Sequence, residues 1–164
     1  MDQPSFWELR RLRGVANYQF GGSVGKVLFP EGIRVTRSSR TGKVKLVYFR
    51  GQLLATLRSS DGLLSLNVHG ARRLLRQLGD GTPLRVTVKD GFEDFVRAGR
   101  NLFAKHVLAA DPAVRPESEV IIVDEKGRLV AVGRAVLSGE EMSSFRLGLA
   151  VRVRRGVDEV EDKN

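Results

Sequence analysis

Apolar residues recur every third or fourth position in two stretches of the chain and every second position in most of the remainder. The first helical stretch opens at Ser5, where Ser5-Phe6-Trp7-Glu8 has the S-x-x-E form of a capping box. Phe6, Leu9 and Leu12 then share one face while Arg10, Arg11 and Arg13 occupy another, which predicts a short helix ending by Gly14. "NYQFGGSVGKVLF" reads as a glycine-rich bend. "GIRVTRS", "KVKLVYF" and "QLLATLR" are rich in β-branched and aromatic residues and read as strands, with Arg50-Gly51 as the hairpin turn between the last two. "SDGLLSLN" supplies a turn and a short strand. A second helix runs from His69 to Leu78, its apolar stripe Ala71, Leu74, Leu75 and Leu78, its outer face Arg72, Arg73 and Arg76.

"GDGTP" then interrupts every period and places a domain boundary after Thr82. Beyond it, "LRVTV" reads as a strand, "FEDFVRAG" as a short helix with an acidic first turn, and "NLFAKHV" as a strand. "DPAVRPESE" is a loop around two prolines, "VIIVDEKGRLVAVGRAVL" a hairpin turning at Lys126-Gly127, "GEEMSSF" a helical turn and "LGLAVRVRRG" a final strand. Short strands at this spacing suggest a small barrel. The expected organisation is an α+β domain over 1–82, a β-barrel over 83–156 and a frayed acidic tail over 157–164. Within "RNLFAKHV", strand alternation would set Asn101, Phe103 and Lys105 along one side and Leu102, Ala104 and His106 along the other.

Composition narrows the class. A chain of 164 residues, 41% hydrophobic, suits one medium domain or two small ones. It holds no apolar run of spanning length, and "MDQPSFWELRRLRG" lacks the apolar stretch of a signal peptide. The absence of cysteine excludes disulfides and thiolate-bound zinc. A cytoplasmic protein is expected.

Charge changes the picture more. The net charge is +9 and the pI near 10.6, which favours a polyanionic partner. Residues 1–82 hold 14 basic and 5 acidic residues; residues 83–164 hold 14 of each. From Gly32 to Ser60 there is no acid, yet Arg34, Arg37, Arg40, Lys43, Lys45, Arg50 and Arg58 all fall there. A solvated basic face is one reading. Contact with phosphates, led by Arg37, Arg40, Lys43 and Lys45, is the other.

Catalytic motifs fail on spacing. "GGSVGKV" resembles a phosphate-binding P-loop, but Phe20 stands where the first glycine belongs and Val27 where a hydroxyl should hold magnesium. A bend that lets backbones pack closely accounts for the glycines. His69 and His106 lie in different halves with no metal-ligand spacing beside either, and Ser138 and Ser143 sit in no G-x-S-x-G turn. Glu93 and Asp94 open a helix, where they complement its dipole. No cofactor, metal or catalytic constellation is expected.

Two segments carry a resemblance. Gly99 with Asn101-Leu102-Phe103-Ala104, Arg115-Pro116, Glu119-Val120-Ile121-Ile122-Val123, Val132-Gly133-Arg134-Ala135 and the strand from Gly148 to Arg154 together resemble a PUA domain, the module named for pseudouridine synthases and archaeosine transglycosylases. Where a common variant has glycine after the proline, Glu117-Ser118 stand here. "NYQFGGSVGKVLF", "SRTGKVKLV", "LLATLRSSDGLLSL" and "HGARRLL" are similar to the domain preceding PUA in archaeosine tRNA-guanine transglycosylase. The resemblance implies a mixed β-barrel that holds tRNA near its 3′ end, preceded by a positively charged domain. In that family a catalytic barrel with aspartates and cysteine-bound zinc exchanges a guanine of the tRNA D-arm, and a barrel of that kind takes roughly 250 residues. This chain therefore resembles the RNA-binding end of an archaeal tRNA-modification enzyme, in the manner of an accessory subunit partnered by a separate catalytic polypeptide.

The same resemblance and the general physics of RNA recognition, in which bases stack on rings or guanidinium planes, nominate Gly99, Arg100, Asn101, Phe103, Lys105, His106, Arg115 and Arg134 as RNA contacts. If Phe103 is core instead, Arg100, His106 and Arg134 become the leading contacts. Two other functions stay open: a free-standing RNA-binding module in ribosome biogenesis or translation, and a small enzyme with an unrecognised site.

Overall fold

The computed structural model describes residues 1–161, which divide into two compact units, the first over 1–77 and the second from Leu78 onward. The three last residues of the expected tail, 162–164, lie outside the described residues.

The first unit is α+β. It comprises α1 (Phe6–Phe20), α2 (Val24–Leu28), a four-stranded antiparallel meander of β1 (Arg34–Arg37), β2 (Val44–Phe49), β3 (Gln52–Leu57) and β4 (Leu64–Leu66), and α3 (Val68–Leu78). Helix α1 starts as its capping box dictates: the Glu8 amide donates to Ser5 Oγ at 3.1 Å, and the Ser5 amide to Glu8 Oε1 at 2.8 Å. Its end differs from expectation. The helix passes through Gly14, where a side chain would meet open space, and stops only at Gly21, whose φ is +92°. The reason is packing: Leu12, Ala16 and Phe20, four residues apart, form the buried stripe, and their burial outweighs the cost of about 1 kcal/mol for a glycine in a helix. Phe6, expected on the apolar face, is 69% exposed.

The rest of the supposed bend is helix α2. It lies so close to α1 that a Cβ on Gly25 would strike the Arg13 carbonyl. Asn17 Oδ1 accepts the Gly25 amide at 2.7 Å, and Gln19 donates to and accepts from the Leu64 backbone at 2.7 and 2.8 Å. Arg50 and Gly51 adopt φ of +50° and +79°, as a two-residue hairpin turn requires. Ala71 and Leu74 of α3 are buried, and Gly70 gives α3 its close approach to the Leu54 carbonyl.

The second unit is a mixed sheet ordered β6-β10-β9-β8-β5-β7. Its strands are β5 (Arg85–Val88), β6 (Leu102–Phe103), β7 (Val107–Ala110), β8 (Glu119–Val123), β9 (Leu129–Ala135) and β10 (Leu149–Gly156). Only the β5–β8 pairing is parallel. Helices α4 (Glu93–Arg97), α5 (Gly139–Ser144) and α6 (Val157–Glu161) complete it.

The two edge strands, β6 and β7, are neighbours in sequence, joined by a 3-10 turn over Ala104–His106. That turn carries the chain from one edge of the sheet to the other and nearly closes the barrel. It also corrects the single strand expected over "NLFAKHV". One continuous strand cannot pair with both edges, so the backbone must be re-aimed between Phe103 and Val107.

The tail expected over 157–164 is corrected as well. Residues 157–161 form α6, with Val157 buried and the Gly156 amide donating to Glu159 Oε1 at 2.9 Å.

Candidate nucleic-acid interface

In an antiparallel meander, turns alternate between the two ends of the sheet. The β1–β2 and β3–β4 turns therefore share one end, while the β2–β3 turn carrying Arg50 falls at the other. Turn 38–43 closes with the Gly42 amide on the Ser38 carbonyl at 2.8 Å, and turn 58–62 with the Gly62 amide on Arg58 at 2.9 Å. Beside them runs α1. Together these segments line a groove of about 760 Å³ whose basic side chains are Arg11, Arg40, Lys43, Lys45 and Arg58. Among the described residues no carboxylate lines it. Ser38, Thr41, Thr56, Ser59 and Ser60 also line it. Asp61 orients Arg58 from outside, accepting its Nε and Nη2 at 3.2 and 3.1 Å. Such a trough suits the backbone of a polyanion.

The structure places the four basic candidates of this unit differently. Arg40, Lys43 and Lys45 line the groove and are exposed. Arg37 does not line it. Its guanidinium donates to Glu8 at 2.7 and 3.1 Å and to Asp2 at 2.9 Å, tying β1 to the start of α1. That guanidinium holds the Glu8 carboxyl down to about 2, helped by the Ser5 amide. Sequence reasoning left Arg11 and Arg58 off the list. Nothing in the linear order says that α1 and the two turns meet.

In the second unit, Gly99 (φ +104°) begins the loop after α4, followed by Arg100 and Asn101. Asn101 Oδ1 accepts the Val153 amide at 2.9 Å, so its amide group pins this loop to β10. Phe103 is 48% exposed, which removes it from the core. It pairs with Leu149 on β10, beside Leu147, which is 85% exposed. His106 stacks on Phe92 at 3.8 Å between centroids, and burial with the nearby Lys105 and Lys89 charges lowers its pKa, so a neutral ring is favoured. Arg100 lies 5.9 Å from the Phe95 ring. The exposed Lys105 side chain projects from the barrel-closing turn, and its carbonyl accepts Lys89 Nζ at 2.9 Å.

Arg115 and Arg134 belong to a different local setting. Arg115 Nη1 donates to the Pro112 carbonyl at 3.0 Å, and Arg134 Nη2 to Glu117 at 2.6 Å. Glu117 has φ +77°, so the glycine-like loop conformation is kept by a residue with a side chain. The exposed Arg152 lies directly opposite Arg134 across β9–β10, a cation that the sequence reading passed over inside an alternating strand. Deeper in the barrel, Arg154 Nη1 donates to the buried Glu119 at 3.1 Å. Among the described residues no three His, Asp or Glu side chains group as a metal site, and no helix is long and apolar enough to cross a membrane.

Residues 84–157 match the PUA domain model. The second unit is a PUA domain. Ahead of the PUA domain, residues 10–80 match the patch-forming domain C2 of tRNA-guanine transglycosylase. Over 149 residues, 91% of this chain, it is 44% identical to a tRNA-guanine(15) transglycosylase of Pyrococcus abyssi, of which it covers 25%. The chain spans about a quarter of the length of the curated relatives it matches. Two solved structures share the fold of this chain. A hypothetical protein of Pyrococcus horikoshii has TM-score 0.76 and 21% identity, with 93% of this chain and 92% of that one covered. A conserved PUA domain protein of Thermoplasma acidophilum has TM-score 0.66 and 21% identity, with 94% and 92% covered.

Proposed function

We propose that this PUA protein binds tRNA, and that it serves archaeosine tRNA-guanine transglycosylase as an accessory subunit while a separate polypeptide performs the base exchange. The observation that carries this reading is the tandem match: a patch-forming C2 domain and a PUA domain, in that order, aligned at 44% identity with part of an archaeal tRNA-guanine(15) transglycosylase. The geometry supports it. The C2 unit offers a five-cation groove for phosphates. The PUA unit offers Phe103 and Lys105 beside the Gly99–Asn101 loop, a ring and an ammonium suited to the unpaired 3′ end of tRNA. Arg40, Lys43, Lys45, Gly99, Arg100, Phe103, Lys105, His106, Arg115 and Arg134 are proposed as contacts, with Arg11 and Arg58 added. Arg37 and Asn101 are proposed to act through structure instead.

The test is affinity purification from the protein's own cells with crosslinked RNA, followed by titration of tRNA with and without its 3′ tail. Recovery of a transglycosylase chain and preference for tailed tRNA are expected. Absence of the enzyme, with tRNA bound no better than random RNA, contradicts the reading. A free-standing RNA-binding role in ribosome biogenesis or translation is the second reading. It is favoured by the two solved chains of which the same fold makes up 92%, and it predicts ribosomal RNA in the crosslinks.

A further inference from the structure

The outer face of α1 holds aromatic rings that packing does not explain. Trp7 is 70% exposed and Tyr18 83% exposed, although tryptophan is highly buried on average and tyrosine intermediate. On a helix, residues three and four apart are neighbours, so Trp7, Arg11, Val15 and Tyr18 form one continuous stripe. The middle two members, Arg11 and Val15, line the basic groove. Each ring therefore stands one helical step from the groove, at its rim. Phe6 meets Trp7 edge-on at 5.2 Å and the Arg10 guanidinium lies 5.9 Å from the Trp7 ring, which steadies the indole while most of it remains in solvent. Between the two rings the helix carries Gly14, where a side chain would meet nothing within 4 Å. The stripe is left low there.

We infer that Trp7 and Tyr18 are stacking platforms for unpaired RNA bases whose phosphates lie in the adjoining groove, so that the C2 unit selects single-stranded over duplex RNA. The inference rests on the RNA-binding reading above and adds a strand preference to it. Charge complementarity chooses the occupant: five cations with no carboxylate among the lining residues call for a polyanion, and among polyanions only unpaired nucleic acid offers free π-faces to a ring. A duplex keeps its bases stacked inside and would use the cations alone. Phe6 and Trp7 precede the residues matched to the C2 model, so the matched domain leaves the Trp7 platform unassigned.

Trp7 is the only tryptophan of the chain, so its fluorescence reports on this site alone. The experiment titrates the whole protein with oligouridylate and with a blunt RNA duplex of equal length, following indole emission and, separately, the anisotropy of labelled RNA. Trp7→Ala, Tyr18→Ala and Arg40→Ala are run beside the parent, with circular dichroism as the check on folding. Saturating oligouridylate is expected to quench the indole and the duplex to leave it unchanged. Trp7→Ala and Tyr18→Ala should each weaken the single strand about 5- to 150-fold with little effect on the duplex, whereas Arg40→Ala weakens both. Unquenched emission at saturation, or single-strand affinity unchanged in both aromatic variants, overturns the inference while RNA binding by the chain survives. Loss of self-association or of a co-purified protein in these variants, with RNA affinity intact, overturns it in favour of a protein-docking face. If neither RNA binds the parent while tRNA does, the inference fails alone; if tRNA does not bind either, the RNA-binding reading itself fails.

Discussion

Arg37 and Arg40 lie three residues apart in the same acid-free segment, yet the structure gives them opposite work. Arg37 closes a pair with Glu8 and Asp2; Arg40 opens into the groove. Arg40→Ala should lower affinity for every RNA alike and reduce the slope of log K against log salt by about one unit, measured by anisotropy at several salt concentrations. Arg37→Ala should leave that slope unchanged and lower the midpoint of urea unfolding, because it breaks the ion pairs that tie β1 to the start of α1. The Glu8 side of the pair sets a pH window. Its folded-state carboxyl titrates at about 2, below its ordinary 4.5, so the stabilisation is fully present above 4.5 and is lost as pH falls toward 2. Glu8→Gln should flatten that part of the acid-unfolding curve. Residue identity alone did not distinguish the two arginines, because their roles depend on which end of α1 and which turn each one faces.

At the level of elements, most of the first sheet was legible. Its alternation, the Arg50-Gly51 turn and the stripe on α3 all follow from period and turn chemistry. Two misreadings share a cause. Gly14 looked like a stop and "NLFAKHV" like a strand because local pattern was followed where tertiary packing decides. A buried stripe of three residues, Leu12, Ala16 and Phe20, carries α1 through the glycine, and barrel closure breaks the strand. The loop at Glu117 reverses the case: the sequence lacks the expected glycine and the backbone keeps the glycine conformation regardless. A left-handed L-residue costs about 1–2 kcal/mol, and the exposed pair with Arg134 returns at most about 1. Glu117→Gly should therefore melt at or above the parent temperature, and Glu117→Ala, which keeps the strain and loses the pair, below it. A glycine variant less stable than the alanine variant would contradict this account of the loop.

For the molecule as a whole, composition pointed to the partner class and topology to the place. The basic excess in residues 1–82 was visible in the sequence, but the groove was not, because its walls come from α1 and from two turns that only the meander brings to one end. The exposed Phe103 was legible as one of two alternatives, and burial decides between them. The account stands on electrostatic grip of a folded RNA, and the salt dependence of tRNA affinity tests it most directly. Each phosphate neutralised contributes about −0.7 to −0.9 to the slope of log K against log salt, so the four groove cations other than the Asp61-paired Arg58 predict a slope of roughly −3 to −4. An affinity that stays flat from low to high salt, or tRNA that does not bind at all, would contradict it.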